Sequence, residues 1–446
     1  MSMLTDSRPA AAGAPRGSAR HGAGFWLIAA VFLTALAFST VPTPLYPLYQ
    51  RQDGFSAFTV TVVFAVYAVG VITALVLAGH ISDWTGRKRI VLPALGVEMV
   101  AAVLFLTWPA LPGLILARFL TGIGVGLITA TATAYLLELH TAHRPAAGRG
   151  RFEVVSATAN LGGLGVGTLL SGALAQFVAA PLRTPYVVFL ILLALGVVAV
   201  VSVPETVIAP AVRPRYRPQR PRVGAGDRAA YLAAAGGAFS SFAVFGLFTS
   251  LAPGFVAGAL HHPSRLLAGA VAFLVFGAGV TAQAVTGRLS VRQRSAIGLI
   301  AQAGGVLVLA TGMQVTSLGL FLAGGVIAGA GSGLLFKSAV GTVAAAAAPA
   351  VRGEALAGLF LIGYLGLVGP VLGLGVATRF VPATTAVLWF SGLLLILLFL
   401  VAVLSRKNVA RPAISQVESS RIAPTASWNS HSRNATTGQK ARGSSE

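Results

Sequence analysis

The ionisable residues of this chain are few, and their placement among long apolar stretches decides what chemistry is open to them. The densest cluster is GHISDWTGRKR at 79–89, where Asp83 lies between Gly79 and Gly86 and is followed by Arg87, Lys88 and Arg89. A carboxylate at such a boundary pairs with a cation or with the positive end of another helix, and the glycines allow sharp turning or close helix approach. Three charges stand alone within apolar runs, Glu98, Arg118 and Lys337, where an unpaired charge is costly. Glu98 is about seven residues into its run, roughly 10 Å deep at 1.5 Å per residue. A short carboxylate cannot reach water from there, so it is a candidate proton site or a hydrogen-bonded structural acid. Arg118 and Lys337 lie nearer the ends of their runs, where snorkelling would expose them.

Other constellations are weaker. Phe239, Phe242 and Phe245 fall at helical spacing, as a packing stripe or the lining of an apolar site. His140 and His143 are three apart and His261 and His262 adjacent, without carboxylate or thiolate neighbours at ligand spacing, so no metal is expected. The absence of cysteine excludes disulfides, thiolate metal sites and a cysteine nucleophile. No clustered nucleophile and base marks a catalytic centre, so the chain reads as a non-enzyme without a cofactor.

The elements that must position these residues follow from composition. Of 446 residues, 56% are hydrophobic and 10% charged, against ~25% charged in soluble domains. A bilayer core ~30 Å thick needs ~20 apolar residues per helix, and backbone polar groups in lipid must be satisfied within the helix. Twelve runs meet that length, near 25–47, 58–80, 91–110, 113–137, 152–177, 185–204, 229–256, 266–287, 296–315, 318–344, 354–379 and 384–405. The predicted class is therefore an all-α membrane protein with twelve transmembrane helices.

The formal charge of +21 would suit nucleic acid, but its distribution points to topology instead. With the N-terminus inside, twenty-six Lys and Arg fall on cytoplasmic segments and four, Arg51, Arg183, Arg265 and Arg379, on outer ones. By the positive-inside rule both termini are cytoplasmic, and no nucleic-acid partner is needed to explain the charge. The expected domains are an N-terminal tail (1–24), a six-helix bundle (25–206), a basic Pro/Arg-rich linker (207–228), a second bundle (229–405) and a disordered C-terminal tail (406–446). Abundant Ala, Gly and Arg hint at a GC-rich bacterial source, hence a bacterial plasma (inner) membrane.

The two halves repeat each other. TGIGVGL (121–127) matches AGAGSGL (328–334), GHIS (79–82) matches GRLS (287–290), and FSTVP (38–42) matches FTSLAP (248–253). Each pair falls in the same span of its half, predicting two pseudo-symmetric six-helix bundles with a pathway between them.

Against this background, 79–89 resembles the signature loop of the major facilitator superfamily, roughly G-x-x-x-D-x-x-G-R-[RK], with Trp84 where the family often has Arg. ARFLTGIGVG (117–126) is similar to the family's fourth-helix motif and contains Arg118, Gly122, Gly124 and Gly126. NLGGLGVGTLLSG (160–172) resembles the fifth-helix antiporter motif through Gly163 and Gly167, but Thr168 replaces its usual Pro. GLVGPVLGLG (366–375) retains Gly369 and Pro370. The resemblance covers about 25–405. It implies a monomeric secondary transporter whose bundles rock about a central small-molecule site. It further implies a cytoplasmic gate at Gly79, Asp83, Gly86, Arg87, Lys88 and Arg89, latching when the site faces outward. Asp83 would then face the start of the eleventh helix near Gly353. Glu138 and Glu205 are candidate partners for Arg87 and Arg144, and Arg118 and Glu98 are candidate coupling residues.

No Walker motif is present, so protons are the expected energy source. The leading reading is efflux of a drug-like or amphiphilic compound. Uptake of a metabolite by symport is the alternative, and a polytopic membrane enzyme or a transport-fold sensor is a remote third.

Overall fold

Each apolar run becomes a helix because no other local structure satisfies its backbone in lipid. The computed structural model describes residues 17–79, 81–207, 216–218, 228–348 and 351–407. Most of the expected linker and most of each expected tail lie outside the described residues; 17–24, expected in the N-terminal tail, are helical and begin the first helix earlier than hydropathy indicates. Among the described residues, twelve helices are long and apolar enough to span a membrane. In the first half they are α1 (Ala19–Asp53), α2 (Ala57–Ala78), α3 (Lys88–Thr107), α4 (Leu111–His143), α5 (Gly150–Phe177) and α6 (Thr184–Ser202). The second half holds α7 (Arg228–Ser250), α8 (Arg265–Val285), α9 (Val291–Gln314), α10 (Leu318–Ala346), α11 (Arg352–Ala377) and α12 (Ala383–Arg406). Helix α4 runs a further turn and a half past the end expected from hydropathy, carrying Glu138 and His140 with it.

Packing within the halves is symmetric. In the first, α4 packs on α1, α2 and α3, while α1 also packs on α5 and α6, and α3 on α6. Adding six to every number gives the contacts of the second half, and the bundles meet through α5 with α8 and α11 with α2. The glycine repeats explain the shared geometry. A Cβ on Gly122 of α4 would stand 2.1 Å from the Tyr67 carbonyl of α2, and one on its repeat-mate Gly329 of α10 would stand 2.4 Å from the Val275 carbonyl of α8. Only glycine permits backbones to approach so closely. Large apolar side chains such as Ile300, Leu393 and Val198 are about 70% exposed around the rim, the arrangement expected where lipid replaces water.

Prolines break α1 near one end. Pro42 precedes and Pro44 lies within a short 3-10 turn at Thr43–Leu45 before the helix resumes at Tyr46–Asp53. The repeat is visible again after α7, where Pro253 lies in the first turn of the short helix Ala252–Ala257. With an even number of spans, the start of α1 and the end of α12 share one face, here called the basic face for its Arg and Lys residues.

Candidate functional site

Both bundles line a central cavity. It draws side chains from α1, α2, α4 and α5 of one bundle and from α7, α8, α10 and α11 of the other. Eight aromatic residues line it, Phe64, Tyr67, Phe242, Phe245, Phe276, Phe336, Phe360 and Tyr364. Phe242 packs edge-on against Phe336 and Tyr364 at 5.2 and 5.3 Å, and Phe245 stacks on Phe276 at 4.8 Å. Two members of the α7 stripe therefore face the cavity, whereas the backbone of Phe239 packs against Gly366.

Arg118 lies at the end of the cavity away from the basic face. It is 2% exposed, so it does not snorkel. Its Nη1 donates to the Ser39 carbonyl at 2.6 Å, its guanidinium carbon lies 4.5 Å from the Tyr67 ring centroid, and its buried Nε has no partner. No acidic residue lines the cavity among the described residues.

Asn160 reaches the cavity from a π-helical stretch of α5, Thr158–Gly162. Such single-turn insertions often mark functional positions. Beyond them Gly163 and Gly167 nestle against the backbone of α1, where a Cβ on Gly167 would stand 1.9 Å from the Ala37 carbonyl. Thr168, standing where the family has Pro, donates to the Gly269 carbonyl of α8 at 3.0 Å and so helps join the bundles. Gly369 behaves differently from the other candidate packing glycines: a Cβ there would meet nothing within 4 Å, next to Pro370 inside α11.

The cavity is sealed away from the basic face. Thr43 donates to the Thr249 carbonyl at 2.9 Å, joining α1 to α7. Arg265 at the start of α8 donates to the Ala175 carbonyl and to Gln176 at the end of α5. Arg379 stacks over Phe58 at 4.9 Å. Toward the basic face, Lys337 of α10 donates to the Gln283 carbonyl and pairs with Glu153 of α5 at 3.4 Å. Lys337 thus bridges the bundles instead of simply snorkelling, and Glu153 had no distinguishing signal in the sequence.

The loop motif forms a polar knot at the basic end of the first bundle. Gly79 ends α2 and the turn Ser82–Thr85 carries Asp83. Gly86 takes φ +110°, which residues with a side chain rarely adopt. Arg87 is buried and binds Glu138 of α4 through two nitrogens, Nη2 at 2.6 Å and Nε at 3.2 Å, while Nη1 reaches Asp83 at 2.6 Å and Ser82 at 2.7 Å. Burial works against the Arg87 charge, but the bonds to Glu138 and Asp83 outweigh it and raise the pKa above the ordinary arginine value. Glu205 accepts from the backbone N–H groups of Arg87 and Lys88 at 2.9 and 3.0 Å, capping the positive end of α3. Lys88 donates onward to the Val201 carbonyl, and exposed Arg89 makes a long contact to the Thr85 carbonyl.

Both candidate glutamates therefore meet Arg87, and no ion pair joins either to exposed Arg144 among the described residues. Asp83, its side chain 62% exposed, is engaged within its own bundle. Glu98 is fully buried between α3 and α4 against Gly124, with both oxygens unpartnered, and does not line the cavity.

Two six-helix bundles around a shared cavity, closed at one end, define a helical membrane transporter. The family model described as Major Facilitator Superfamily matches residues 27–310, and the chain belongs to that superfamily. It is similar to an uncharacterized MFS-type transporter of Mycobacterium tuberculosis, 30% identical over 149 residues, 33% of this chain and 25% of the relative. It is also similar to the bacillibactin exporter of Bacillus subtilis, 30% identical over 141 residues, 30% of this chain and 34% of the relative. The chain thus spans a quarter to a third of the length of these curated relatives. A bacterial homolog of the human lysosomal transporter Spinster, solved inward-facing and unoccupied, shares the fold with a TM-score of 0.66 at 15% identity, covering 90% of this chain and 100% of that one.

Proposed function

We propose that this transporter exports a drug-like or amphiphilic small molecule across a bacterial plasma membrane by alternating access, using the proton gradient. The observation that carries the reading is the aromatic cavity shared by both bundles and sealed at the end away from the basic face. With the basic face cytoplasmic, as the charge asymmetry favours, the cavity is loaded from inside. The name of the Bacillus subtilis relative is in keeping with export. Residues 25–206 and 229–405 are the moving units, 207–228 tethers them, and a single chain surrounded by lipid suffices for transport.

In the proposed cycle the basic face closes as the other opens. Asp83 would then exchange its bond to Arg87 for the start of α11 near Gly353, with Glu138 and Glu205 holding Arg87 and Lys88 in place. An arginine carries a permanent charge, so Arg118 itself shuttles no proton. Glu98, the only acid in the middle of a span, is the proposed proton carrier. It would act on the cavity through α4, which bears both Gly124 and Arg118.

The test is flux in proteoliposomes of known orientation, with a proton gradient imposed in either direction. Movement of a fluorescent amphiphile from the basic-face side, abolished by a protonophore, is expected. Gradient-driven movement of a nutrient the other way would replace export with uptake.

A further inference from the structure

The polar groups of the cavity are not equally available. Thr40, Thr43 and Thr249 donate their hydroxyl hydrogens to main-chain carbonyls, to Leu164, Thr249 and Phe245 respectively, and Ser39 donates to Leu36. Free donor capacity remains at Thr129, whose buried hydroxyl has no partner, and at Arg118, whose Nε is buried and unpartnered and whose charge faces no carboxylate in the cavity. The compensation for Arg118 is one carbonyl and the rings of Tyr67 and Phe64, at 4.5 and 5.8 Å from the guanidinium carbon. Burying a cation so poorly matched is costly, and a ligand anion would supply the missing partner.

The aromatic residues tell where the rest of that ligand lies. Arg118 is seven residues from the start of α4 at the sealed end, while Phe242, Phe336, Phe360 and Tyr364 cluster nearer the basic face. The lining runs along α4 from Arg118 to Thr129, eleven residues or about 16 Å at the helical rise. A molecule filling this space would present its charged end to Arg118 and an unsaturated ring system to the phenylalanines, where aromatic edges and faces pack well.

We propose that the substrate class is an elongated organic anion with an aromatic body, entering head first so that its carboxylate or other acidic group meets Arg118. This rests on the transport reading above and adds the sign of the charge and its anchor. An amphiphilic cation, which the same aromatic lining would otherwise welcome, is disfavoured because Arg118 has no acid beside it.

The experiment is equilibrium binding to the detergent-purified full chain, with no gradient present, of three probes sharing one ring: 2-naphthoate, 2-naphthamide and 2-naphthylmethylammonium. Wild-type protein is expected to bind the carboxylate about 10-fold or more tightly than the other two, since a charge-assisted hydrogen bond is gained. Arg118→Gln should bring carboxylate and amide within about twofold of each other, and Arg118→Lys should keep part of the preference. Equal or tighter binding of amide or ammonium by wild-type protein would overturn the proposal, and needs no variant to fold. So would an unchanged carboxylate preference in a folded Arg118→Gln protein. Because no gradient is used, loss of the anion preference leaves proton-driven flux of neutral or cationic compounds untouched. Absence of proton-driven flux, in turn, leaves the binding selectivity standing.

Discussion

The Glu205 carboxylate occupies the space that a side chain on Gly86 would need: a Cβ built there stands 2.9 Å from Glu205 Oε2. Position 86 thus carries two constraints at once, the close carboxylate and φ +110°. Gly86→Ala is expected to lower stability by about 1–3 kcal/mol through backbone strain and to loosen the cap on α3. Thermal unfolding of the purified protein reads this, and an unchanged melting temperature would mean that the turn is not needed as drawn.

Arg87 and Glu138 are the strongest pair in the knot, being two-pronged and buried on the arginine side. Removing Glu138 leaves a buried guanidinium with only Asp83 and Ser82. Glu138→Ala is expected to cost about 1–3 kcal/mol, below the figure for a fully buried pair because Glu138 is a third exposed. A double-mutant cycle with Arg87→Ala measures the coupling directly, and additive effects would argue against the pair.

Asp83 should behave differently. Its side chain is mostly exposed and its bond to Arg87 links neighbouring turns, so Asp83→Asn is expected to change stability by under ~0.5 kcal/mol. Transport should nevertheless fall while expression is maintained, because the proposed latch needs its charge. Full transport in reconstituted vesicles would remove the latch from the mechanism.

Lys337 and Glu153 tie the bundles together toward the basic face. Since the chain has no cysteine, a single Cys placed at Phe360 reports cavity access without background. Lys337→Ala or Glu153→Ala is expected to speed its reaction with a polar maleimide several-fold, and the swapped pair Lys337→Glu with Glu153→Lys should slow it again. Equal rates in all four proteins would show that the bridge does not restrain opening.

The internal repeat supplies its own control for Glu98. Gly124 packs on Glu98 of α3, and its repeat-mate Gly331 packs on Gln302 of α9, whose amide bonds Ser240 of α7. One half thus already holds a buried amide where the other holds an acid. Glu98→Gln is expected to keep the melting temperature within a few degrees and to abolish proton movement, read with a pH-sensitive dye in vesicles. Retained proton movement would move the coupling site elsewhere.

The number of spans was legible in the chain because lipid forces every crossing to be a long apolar helix. The two-fold design was legible because backbone approach between helices tolerates glycine at fixed positions, and TGIGVGL and AGAGSGL preserve them. The loop at 79–89 announced itself for the same reason, since Gly86 and its flanking charges serve local geometry. Local rules of this kind leave local traces.

Glu138 and Glu205 were candidates for Arg87 through the family resemblance, but the other contacts across the fold, and the helix-capping form of the Glu205 contact, left no such trace. Glu205 caps a helix 117 positions earlier, Lys337 bridges to Glu153, and Thr168 ties α5 to α8 instead of repeating the family's Pro. Arg118 could have snorkelled by its distance from a helix end, yet the packing of α1 and α2 around it turns it inward to the cavity. Hydropathy measures how much a residue dislikes water and is blind to which neighbour replaces it. The neighbours are set by how the two bundles pack, and that is what decided the lining of the cavity and the charge left waiting in it.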